Sequence, residues 1–592
     1  MAGFLNWAKN IGLSVLNGVV KFVVFIILLA IIFIVVALFT GDGLPGNIVL
    51  AMDLRDSLAD SSNSDPIFSG SKPTVMDIVL TLDAAERDDR VKGAVIRIGT
   101  ANLSIAQAEE LDAAIKKFRK SGKFVIAHSQ GFLASGLGDY LTVADANEIW
   151  MQPKAPFTAN GEGGGEIFLR GLLDKVQATP QIVKRSDYKS AADMFMEKNM
   201  TPADREQLTR LMQSWYDAAT GGAAAARHLT RERIVAAFEA SPQFTENARA
   251  AGLIDKIGYD DDAQQAALTR AGDGAKLVKM SEYVRVKKQA SQLSFGTKIA
   301  LIQASGEIQD GTAGGGGLFG GSEVIAGDDL SRAIRAATAD KDVKAIILRV
   351  DSPGGSVTAS DQILAAVKKA QAAGKPVVVS MAGVAASGGY YISLSANRIV
   401  AQPGTITGSI GVLTGKVSID RTAALIGVGV DTVGVGRNAL YNSEFAPYTP
   451  DQLAALNREA DAIYADFTGK VAAGRHMPLA KVQDIARGRV WSGADAQVRG
   501  LVDDLGGFWT AADVARRLAK IGPDEKVVFK FFPKQKGFFE TIGDALGGND
   551  EAVQAMQGFV TLMNAAPLKA LTHAVGELPR GGVELRATGL PR

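Results

Sequence analysis

The chain has 592 residues, 47% of them hydrophobic, with 64 basic side chains, 63 acidic side chains and no cysteine. This length exceeds the roughly 250–300 residues that one hydrophobic core usually serves, so at least two large domains are expected. A formal net charge of +1 excludes the strongly basic surface typical of nucleic-acid binding, and the lack of cysteine excludes disulfides, thiolate zinc sites and a cysteine nucleophile.

An uninterrupted apolar segment, Phe22–Phe39, lies close to the N-terminus. Apolar runs of roughly 20 residues span the hydrocarbon core of a bilayer as a helix. Lys9 and Lys21 precede the segment, so the positive-inside rule predicts a cytoplasmic N-terminus with the rest of the chain outside. A cleaved signal peptide is the alternative, but no A-x-A-like cleavage site follows the run. Residues 1–45 are therefore predicted to form a membrane anchor.

The rest of the chain contains an internal repeat, in which short segments recur in the same order 248 to 252 positions apart. The matching pairs are DRVKGAVIRIG (89–99) with KDVKAIILRVD (341–351), ANEIWMQP (146–153) with ANRIVAQP (396–403), and AGLIDKIG (251–258) with RGLVDDLG (499–506). Such self-similarity indicates two homologous units. We predict a first repeat at 46–275, a linker at 276–295, a second repeat at 296–525, and a helical tail at 526–592.

Each repeat alternates short apolar runs with amphipathic helical stretches. In the second repeat, AIILRV (345–350) and PVVVSMA (376–382) are typical of buried strands, and TASDQILAAVKKAQAAG (358–374) predicts a helix between them. Strands that alternate with crossover helices favour an α/β fold with mainly parallel sheets. The glycine-rich stretch 314–321 is predicted to be a flexible surface loop, with a substrate-gating flap as the alternative.

Two segments of the second repeat place glycines where strands are predicted to end. RVDSPGGSV (349–357) contains Gly355, and MAGVAASGGYYIS (381–393) places Ser387 before Gly388 at a strand-to-helix turn. A serine at such a turn projects its hydroxyl from the carboxyl end of the strand, while the following amides point at any anion formed there. Gly355 and Gly388 are therefore candidates for the two N–H donors of an oxyanion hole. A tight turn with a capping serine is the alternative.

Three motifs of the second repeat resemble a known family. DSPGGSV (351–357), AASGGYYIS (385–393) and TGSIGV (407–412) together are similar to the signal peptide peptidase A family, also called protease IV, of the Clp protease and crotonase superfamily. The resemblance covers about residues 45–525. It implies two tandem Clp/crotonase-like domains with mainly parallel sheets, preceded by one transmembrane helix, and a serine peptidase whose nucleophile is Ser387.

A serine hydroxyl needs a neighbouring base to become a nucleophile, and the chain has four histidines. His228 and His476 lie at matching positions of the two repeats, which suggests a shared structural role such as a helix end. His128 matches Ser380, ahead of the predicted turn, and His573 lies in the tail. A Ser-His-Asp triad is therefore disfavoured.

Lysine is the other candidate base, because desolvation lowers the pKa of its ammonium group from roughly 10.4. SDYKSAADMFM (186–196) places Lys189 among small and apolar residues. The YKSA stretch is similar to the family motif whose lysine is the general base in long, duplicated members, which implies that role for Lys189. An ordinary solvated lysine is the alternative. Ser409, in the TGSIGV motif, is a candidate for orienting the lysine.

The two repeats differ at these positions. The first repeat keeps a serine, Ser135, at the nucleophile position, but Ala-Asn-Leu at 101–103 replaces the Pro-Gly-Gly stretch 353–355. Lys189 matches Ala439, so the second repeat lacks the lysine. One composite site is therefore predicted, with the base from the first repeat and the nucleophile and oxyanion hole from the second.

The resemblance implies a membrane-bound serine endopeptidase with a Ser/Lys dyad that degrades remnant signal peptides or other apolar peptides. It also implies a homotetramer in the bacterial inner membrane, with the catalytic domains on the periplasmic side. The sequence leaves open whether Ser387 faces Lys189 of its own chain or of a neighbouring chain, and the resemblance implies the neighbour. The predicted partners are peptides and the lipid bilayer, without nucleic acid. No metal or other cofactor is implied, because the few histidines show no ligand spacing. A crotonase-type acyl-CoA enzyme and a catalytically inactive scaffold are the alternatives.

Overall fold

The computed structural model describes residues 43–61, 73–133, 136–291, 296–312, 324–425 and 427–533. Outside these residues lie the predicted membrane segment Phe22–Phe39, the counterpart serine Ser135, the glycine-rich stretch 314–321, and the tail beyond residue 533. Within the described part of the chain, no helix is long and apolar enough to cross a membrane.

The chain up to residue 291 forms nine strands and ten helices within its described part. In chain order they are β1 (Ile48–Asp53), α1 (Val75–Glu86), β2 (Val91–Ile98), α2 (Ile105–Lys120), β3 (Phe124–Ser129), α3 (Leu137–Val143), β4 (Glu148–Met151), β5 (Pro156–Phe157), α4 (Arg170–Lys175), β6 (Thr179–Arg185), α5 (Asp193–Met196), α6 (Pro202–Arg227), α7 (Arg231–Glu239), β7 (Gln243–Phe244), α8 (Thr245–Ala250), β8 (Lys256–Ile257), α9 (Asp260–Ala271), β9 (Lys276–Lys279) and α10 (Met280–Ser291). A short 3-10 helix, Ser190–Ala192, precedes α5.

The described residues after 295 follow a similar order, with some elements added and others absent. They form β10 (Thr297–Ser305), β11 (Glu307–Gln309), β12 (Val324–Ala326), α11 (Gly327–Ala339), β13 (Val343–Ser352), α12 (Val357–Ala372), β14 (Val377–Ala386), α13 (Gly388–Tyr391), β15 (Arg398–Ala401), β16 (Ile406–Gly408), β17 (Val412–Ser418), α14 (Asp420–Leu425), α15 (Pro450–Gly474), α16 (Leu479–Ile485), β18 (Val490–Ser492), α17 (Gly493–Arg499), β19 (Asp504–Leu505), α18 (Phe508–Leu518) and β20 (Val527–Phe532).

A mainly parallel sheet forms the centre of each repeat. The first sheet has the order β8-β4-β3-β2-β1-β9, and every neighbouring pair in it is parallel. The second has the order β18-β16-β14-β13-β10-β20, with β15 joining β14 to β19, and only the β16–β18 pair is antiparallel. The prediction of an α/β fold with two repeats and mainly parallel sheets is confirmed.

The sequence forms these elements for local reasons that both repeats share. The central strand of each sheet is an apolar run that is buried on both faces. The crossover helices α2 and α12 begin at Ser104 and Ser356, whose hydroxyls accept a backbone N–H of the first turn. Tyr140 and Tyr390 hold matching helices in place, because each buried hydroxyl donates to a main-chain carbonyl far along the chain, 2.8 and 2.9 Å away.

The sheet edges differ from the sequence-based expectation. Residues 276–279 were predicted to be linker, but they form β9, which pairs with β1 and extends the first sheet beyond residue 275. Residues 527–532 were predicted to begin a helical tail, but they form β20, which pairs with β10. Both strands lie at a sheet edge and are only partly buried. Their lysines weaken the continuous apolar pattern by which a central strand is recognised.

An antiparallel ribbon joins the two repeats. β6 of the first repeat pairs with β17 of the second over seven residue pairs, from Val412 opposite Arg185 to Ser418 opposite Thr179. Val183 of β6 packs in a cluster with Val412 and with apolar residues of α15. The ribbon therefore carries the end of β6, and the loop that follows it, onto the second repeat.

A buried ion cluster also joins the repeats. Arg349 on β13 is only 2% exposed and donates to both carboxylate oxygens of Asp60, at 2.6 and 3.0 Å, and to Glu110 at 2.9 Å. Its guanidinium also donates to the hydroxyl of Ser380 at 2.9 Å. Both acids belong to the first repeat, so the charge of Arg349 is compensated across the contact between repeats.

Candidate active site

Ser387 lies at the sharp turn between β14 and α13. Its φ of 54° and ψ of −114° are outside the regions that most residues adopt, and such strain is concentrated at functional sites. The turn is held from the other side, because the Ser387 N–H donates to the carbonyl of Gly408, 2.9 Å away. The hydroxyl is thereby presented at the carboxyl end of the central parallel strands, where α/β proteins place reactive groups.

Lys189 meets this hydroxyl from the loop after β6. Its Nζ lies 2.9 Å from Ser387 Oγ, 2.9 Å from Ser409 Oγ and 3.0 Å from the Ser409 carbonyl oxygen. A neutral amine has two N–H donors and one lone pair, so it can donate both hydrogens to Ser409 while its lone pair accepts the Ser387 hydroxyl. The three contacts fit a lysine that acts as a base.

The environment of Lys189 favours the neutral amine. The side chain is 6% exposed, and burial lowers its pKa to about 8, because the ammonium loses its hydration. No carboxylate offsets this loss among the interactions of the lysine in the described residues. About a tenth of the amine is therefore unprotonated at pH 7, far more than for an exposed lysine.

Two residues that the sequence analysis did not identify hold the lysine loop. The Gln207 side-chain amide donates to the Tyr188 carbonyl at 3.1 Å and to the Ser190 hydroxyl at 3.0 Å, on either side of the lysine. Gly488 packs against the lysine itself, because a Cβ at Gly488 would lie 2.5 Å from the Cβ of Lys189. Both depend on contacts between distant segments, which no local motif reveals.

The glycines predicted to donate to an oxyanion lie beside the serine. Gly355 has a φ of 144°, and a side chain there would lie 2.1 Å from the Ile308 carbonyl oxygen. A Cβ on Gly388 would lie 3.1 Å from the Gly355 nitrogen, so the two backbone amides are neighbours. Neither N–H has an acceptor among the hydrogen bonds of the described residues. The two free donors leave a place for a developing negative charge next to Ser387.

The matching place in the first repeat is filled by a carboxylate. Asp139 is buried and accepts the backbone N–H groups of Ala101 at 2.9 Å, Asn102 at 3.4 Å and Leu103 at 3.0 Å. Leu103 stands where the second repeat has Gly355. The amide that would face an oxyanion is therefore already bonded to an anion, which the sequence analysis did not foresee.

No histidine hydrogen-bonds to Ser387 or Lys189 in the described part of the chain. His128 is buried in the first repeat, 3.2 Å from the carbonyl oxygen of Gly258. His228 and His476 each adopt a positive φ just after a long helix, which agrees with the predicted role at a helix end.

Ser387 and Lys189 meet within one chain. The sequence left open whether Ser387 faces Lys189 of its own chain or of a neighbour, with the family resemblance implying the neighbour, and here the two groups of one chain are in contact. The physical reason is the β6–β17 ribbon, which brings the lysine loop of the first repeat onto the second within the chain.

The chain matches known peptidase families. Peptidase family S49 matches residues 117–272 and 369–522, and the Clp protease family matches residues 326–404. The chain is 34% identical to "Serine protease SPPA, chloroplastic" of Arabidopsis thaliana, over 81% of this chain and 70% of that protein. It is 29% identical to "Protease 4" of Salmonella typhi, over 94% of this chain and 93% of the other. It is 31% identical to "Protease 4" of Haemophilus influenzae, over 77% of this chain and 75% of the other.

Proposed function

Because this chain belongs to peptidase family S49, we propose that it is a membrane-bound serine endopeptidase with a Ser387/Lys189 dyad. The observation that carries the dyad is the 2.9 Å contact between Lys189 Nζ and Ser387 Oγ in a buried site. Membership in a peptidase family favours this activity over acyl-CoA chemistry and over an inactive scaffold.

Acylation begins when the neutral amine of Lys189 accepts the hydroxyl proton of Ser387. The serine oxygen attacks the carbonyl carbon of the scissile peptide bond and forms a tetrahedral intermediate. Ser409 holds the lysine in place, because its hydroxyl and its carbonyl oxygen both accept N–H groups of the amine. The lysinium then returns the proton to the departing amine, and an acyl-enzyme ester on Ser387 remains.

The negative charge of the tetrahedral intermediate is stabilised by backbone donors. The N–H groups of Gly355 and Gly388 are neighbours close to Ser387 and have no acceptor among the described residues. Fixed donors of this kind stabilise an oxyanion without reorganising during the reaction. Deacylation repeats the sequence with water, which gives its proton to Lys189 as it attacks the ester.

The substrates proposed are remnant signal peptides or other apolar peptides at the membrane. Phe22–Phe39 is the proposed anchor of a single-pass protein of the bacterial inner membrane, with the repeats on the periplasmic side. The chain is also proposed to form a homotetramer. Retention of the protein in membranes after alkaline carbonate washing, and its loss when residues 1–45 are removed, test the anchor.

The dyad is tested by labelling the full-length protein with a serine-directed fluorophosphonate and by measuring cleavage of an apolar peptide. We expect Ser387→Ala to abolish both labelling and cleavage. Ser135→Ala, at the matching position of the first repeat, is the control and should retain both. If Ser135→Ala abolished cleavage and Ser387→Ala did not, the nucleophile would lie in the other repeat.

A further inference from the structure

Each repeat contains a similar segment, called the arm here, which begins at residue 169 in the first repeat and 250 positions later, at residue 419, in the second. Each arm contains a short helix, α4 or α14, followed by a residue with positive φ, Gln177 or Gly427. Three backbone hydrogen bonds of the first arm recur 250 positions later in the second. In the first arm, the N–H groups of Gln177, Ala178 and Leu169 donate to the carbonyls of Asp174, Leu173 and Met194, respectively. In the second arm, the N–H groups of Gly427, Val428 and Ile419 donate to the carbonyls of Ala424, Ala423 and Glu444, respectively. The equivalence of the two arms therefore rests on structure, not only on sequence.

The arms differ in what they contact. In the first arm, residues 179–185 form β6 and pair with β17. The equivalent residues of the second arm, 429–435, are exposed and have no strand partner in the described part of the chain. Val183 is 8% exposed against the β17 cluster, whereas its counterpart Val433 is 90% exposed.

The counterpart of β17 is also unpaired. β17 spans residues 412–418, and the matching residues 162–168 of the first repeat belong to no strand of the described chain. One ribbon, β6 with β17, therefore joins the repeats within the chain. The segments equivalent to its two strands, residues 429–435 and 162–168, form a second pair of halves, which we call the vacant halves because neither has a strand partner in the described chain. Segments without a strand partner that expose apolar side chains are candidates for strand addition.

The counterpart of β17 in the first repeat has glycines at the positions where the β6–β17 ribbon requires them. A Cβ at Gly415 of β17 would lie 2.3 Å from the Gln181 carbonyl oxygen of β6, so only glycine fits there. Its counterpart Gly165 has nothing within 4 Å of its Cβ position, although it too is glycine. Gly411 and Gly161 repeat the contrast, with a contact of 2.5 Å at Gly411 and open space at Gly161.

We propose that residues 429–435 of one chain pair antiparallel with residues 162–168 of a second copy, in the register of the β6–β17 ribbon. Thr414 faces Val183 in that ribbon, so Gly164 would face Val433 across the contact between chains. The inference rests on the self-association proposed above and names the surface that produces it. Because the two halves lie on different repeats, the contact is head-to-tail, and a closed ring leaves neither half exposed.

Engineered cysteines test the register in a chain that has none of its own. The full-length protein with Gly164→Cys and Val433→Cys should form interchain disulfides on mild oxidation, seen as a reducible ladder on a non-reducing gel. The control combines Gly164→Cys with Thr432→Cys, because a shift of one residue turns the side chain to the other face of the strand. Monomers only, or equal ladders in both variants, would overturn the proposed register.

Replacement of single glycines by valine tests the surface without introducing a reactive side chain. Gly165→Val should block the close approach between chains and reduce the mass measured by light scattering in mild detergent to that of one chain. Gly163→Val is the matched control, because Gly163 also has nothing within 4 Å and its counterpart in β17 is a leucine, Leu413. The control should remain assembled.

The outcomes distinguish a wrong choice of contact surface from the absence of self-association. If the wild-type protein is a single chain, both the self-association and the proposed surface are wrong. If it is oligomeric and Gly165→Val remains oligomeric, the surface alone is wrong. Fluorophosphonate labelling of Ser387 in each variant reports whether the repeats are folded, so a loss of assembly through unfolding is recognised.

Discussion

Lys189 Nζ lies 2.9 Å from Ser387 Oγ, although 198 positions separate the two residues along the chain. The contact exists because β6 crosses from the first repeat to pair with β17 of the second. Neither repeat carries both groups, so a site that needs both can form only where the two repeats meet. Asp139 lies in the first repeat at the place that corresponds to the proposed oxyanion hole, and Ala439 stands at the lysine position of the second repeat.

Replacement of the lysine tests its role as base. We expect Lys189→Ala to reduce kcat by about 10²–10⁴-fold, the usual contribution of a positioned general base, with an unchanged melting temperature or a higher one, because a buried amine is removed. Lys416→Ala is the control, since Lys416 lies on the same ribbon but donates only to carbonyls of the chain in the described residues. Equal losses in both variants would contradict a catalytic role for Lys189.

The pH dependence follows from the lowered pKa of Lys189, about 8. Below that pH the amine is protonated and cannot accept the serine proton, so kcat/KM should rise with pH and level off above about 8. Initial rates of peptide cleavage, measured with melting temperatures at each pH, provide the check. A rate that does not change between roughly pH 6 and 9 would argue against a lysine base titrating in this range.

The residues that the structure gathers around Ser387 could be predicted where each lies in a short local pattern. Ser387 and Gly388 occupy a strand-to-helix turn, and Gly355 lies shortly after the end of the neighbouring strand β13, so a sequence of a few residues is enough to indicate them. Lys189 required the family resemblance, because a lysine among small residues is an ambiguous signal.

Other residues could not be predicted because their contacts depend on the packing of distant segments. Gln207 reaches the lysine loop from α6, and Asp139 is aimed at three amides by the position of α3. The edge strands β9 and β20 were missed for a related reason. An edge strand is half exposed, so its sequence lacks the continuous apolar run of β13.

Replacement of Arg349 tests how much the buried ion cluster stabilises the contact between the repeats. Arg349→Ala leaves the buried carboxylates of Asp60 and Glu110 without their cation, and breaking a buried pair from one side costs about 3–5 kcal/mol. We expect a clearly lower melting temperature. Arg398→Ala is the control, because its partner Asp504 is partly exposed and such surface pairs contribute about 0–1 kcal/mol. Similar shifts in both variants would show that the cluster does not stabilise the contact.

Mixing two inactive variants tests whether the dyad lies within one chain. In a mixture of Ser387→Ala and Lys189→Ala chains, a dyad within each chain leaves every site with one group missing, so peptide cleavage should remain absent. The wild-type contact is within the chain, and a head-to-tail ring would not change it, because its contacts between chains join residues 429–435 to residues 162–168. Subunit exchange is verified by mixing chains with different affinity tags and recovering mixed oligomers. Activity that returned in such a mixture would mean that Lys189 acts on Ser387 of another chain, and the β6–β17 ribbon would then have to form between chains as well.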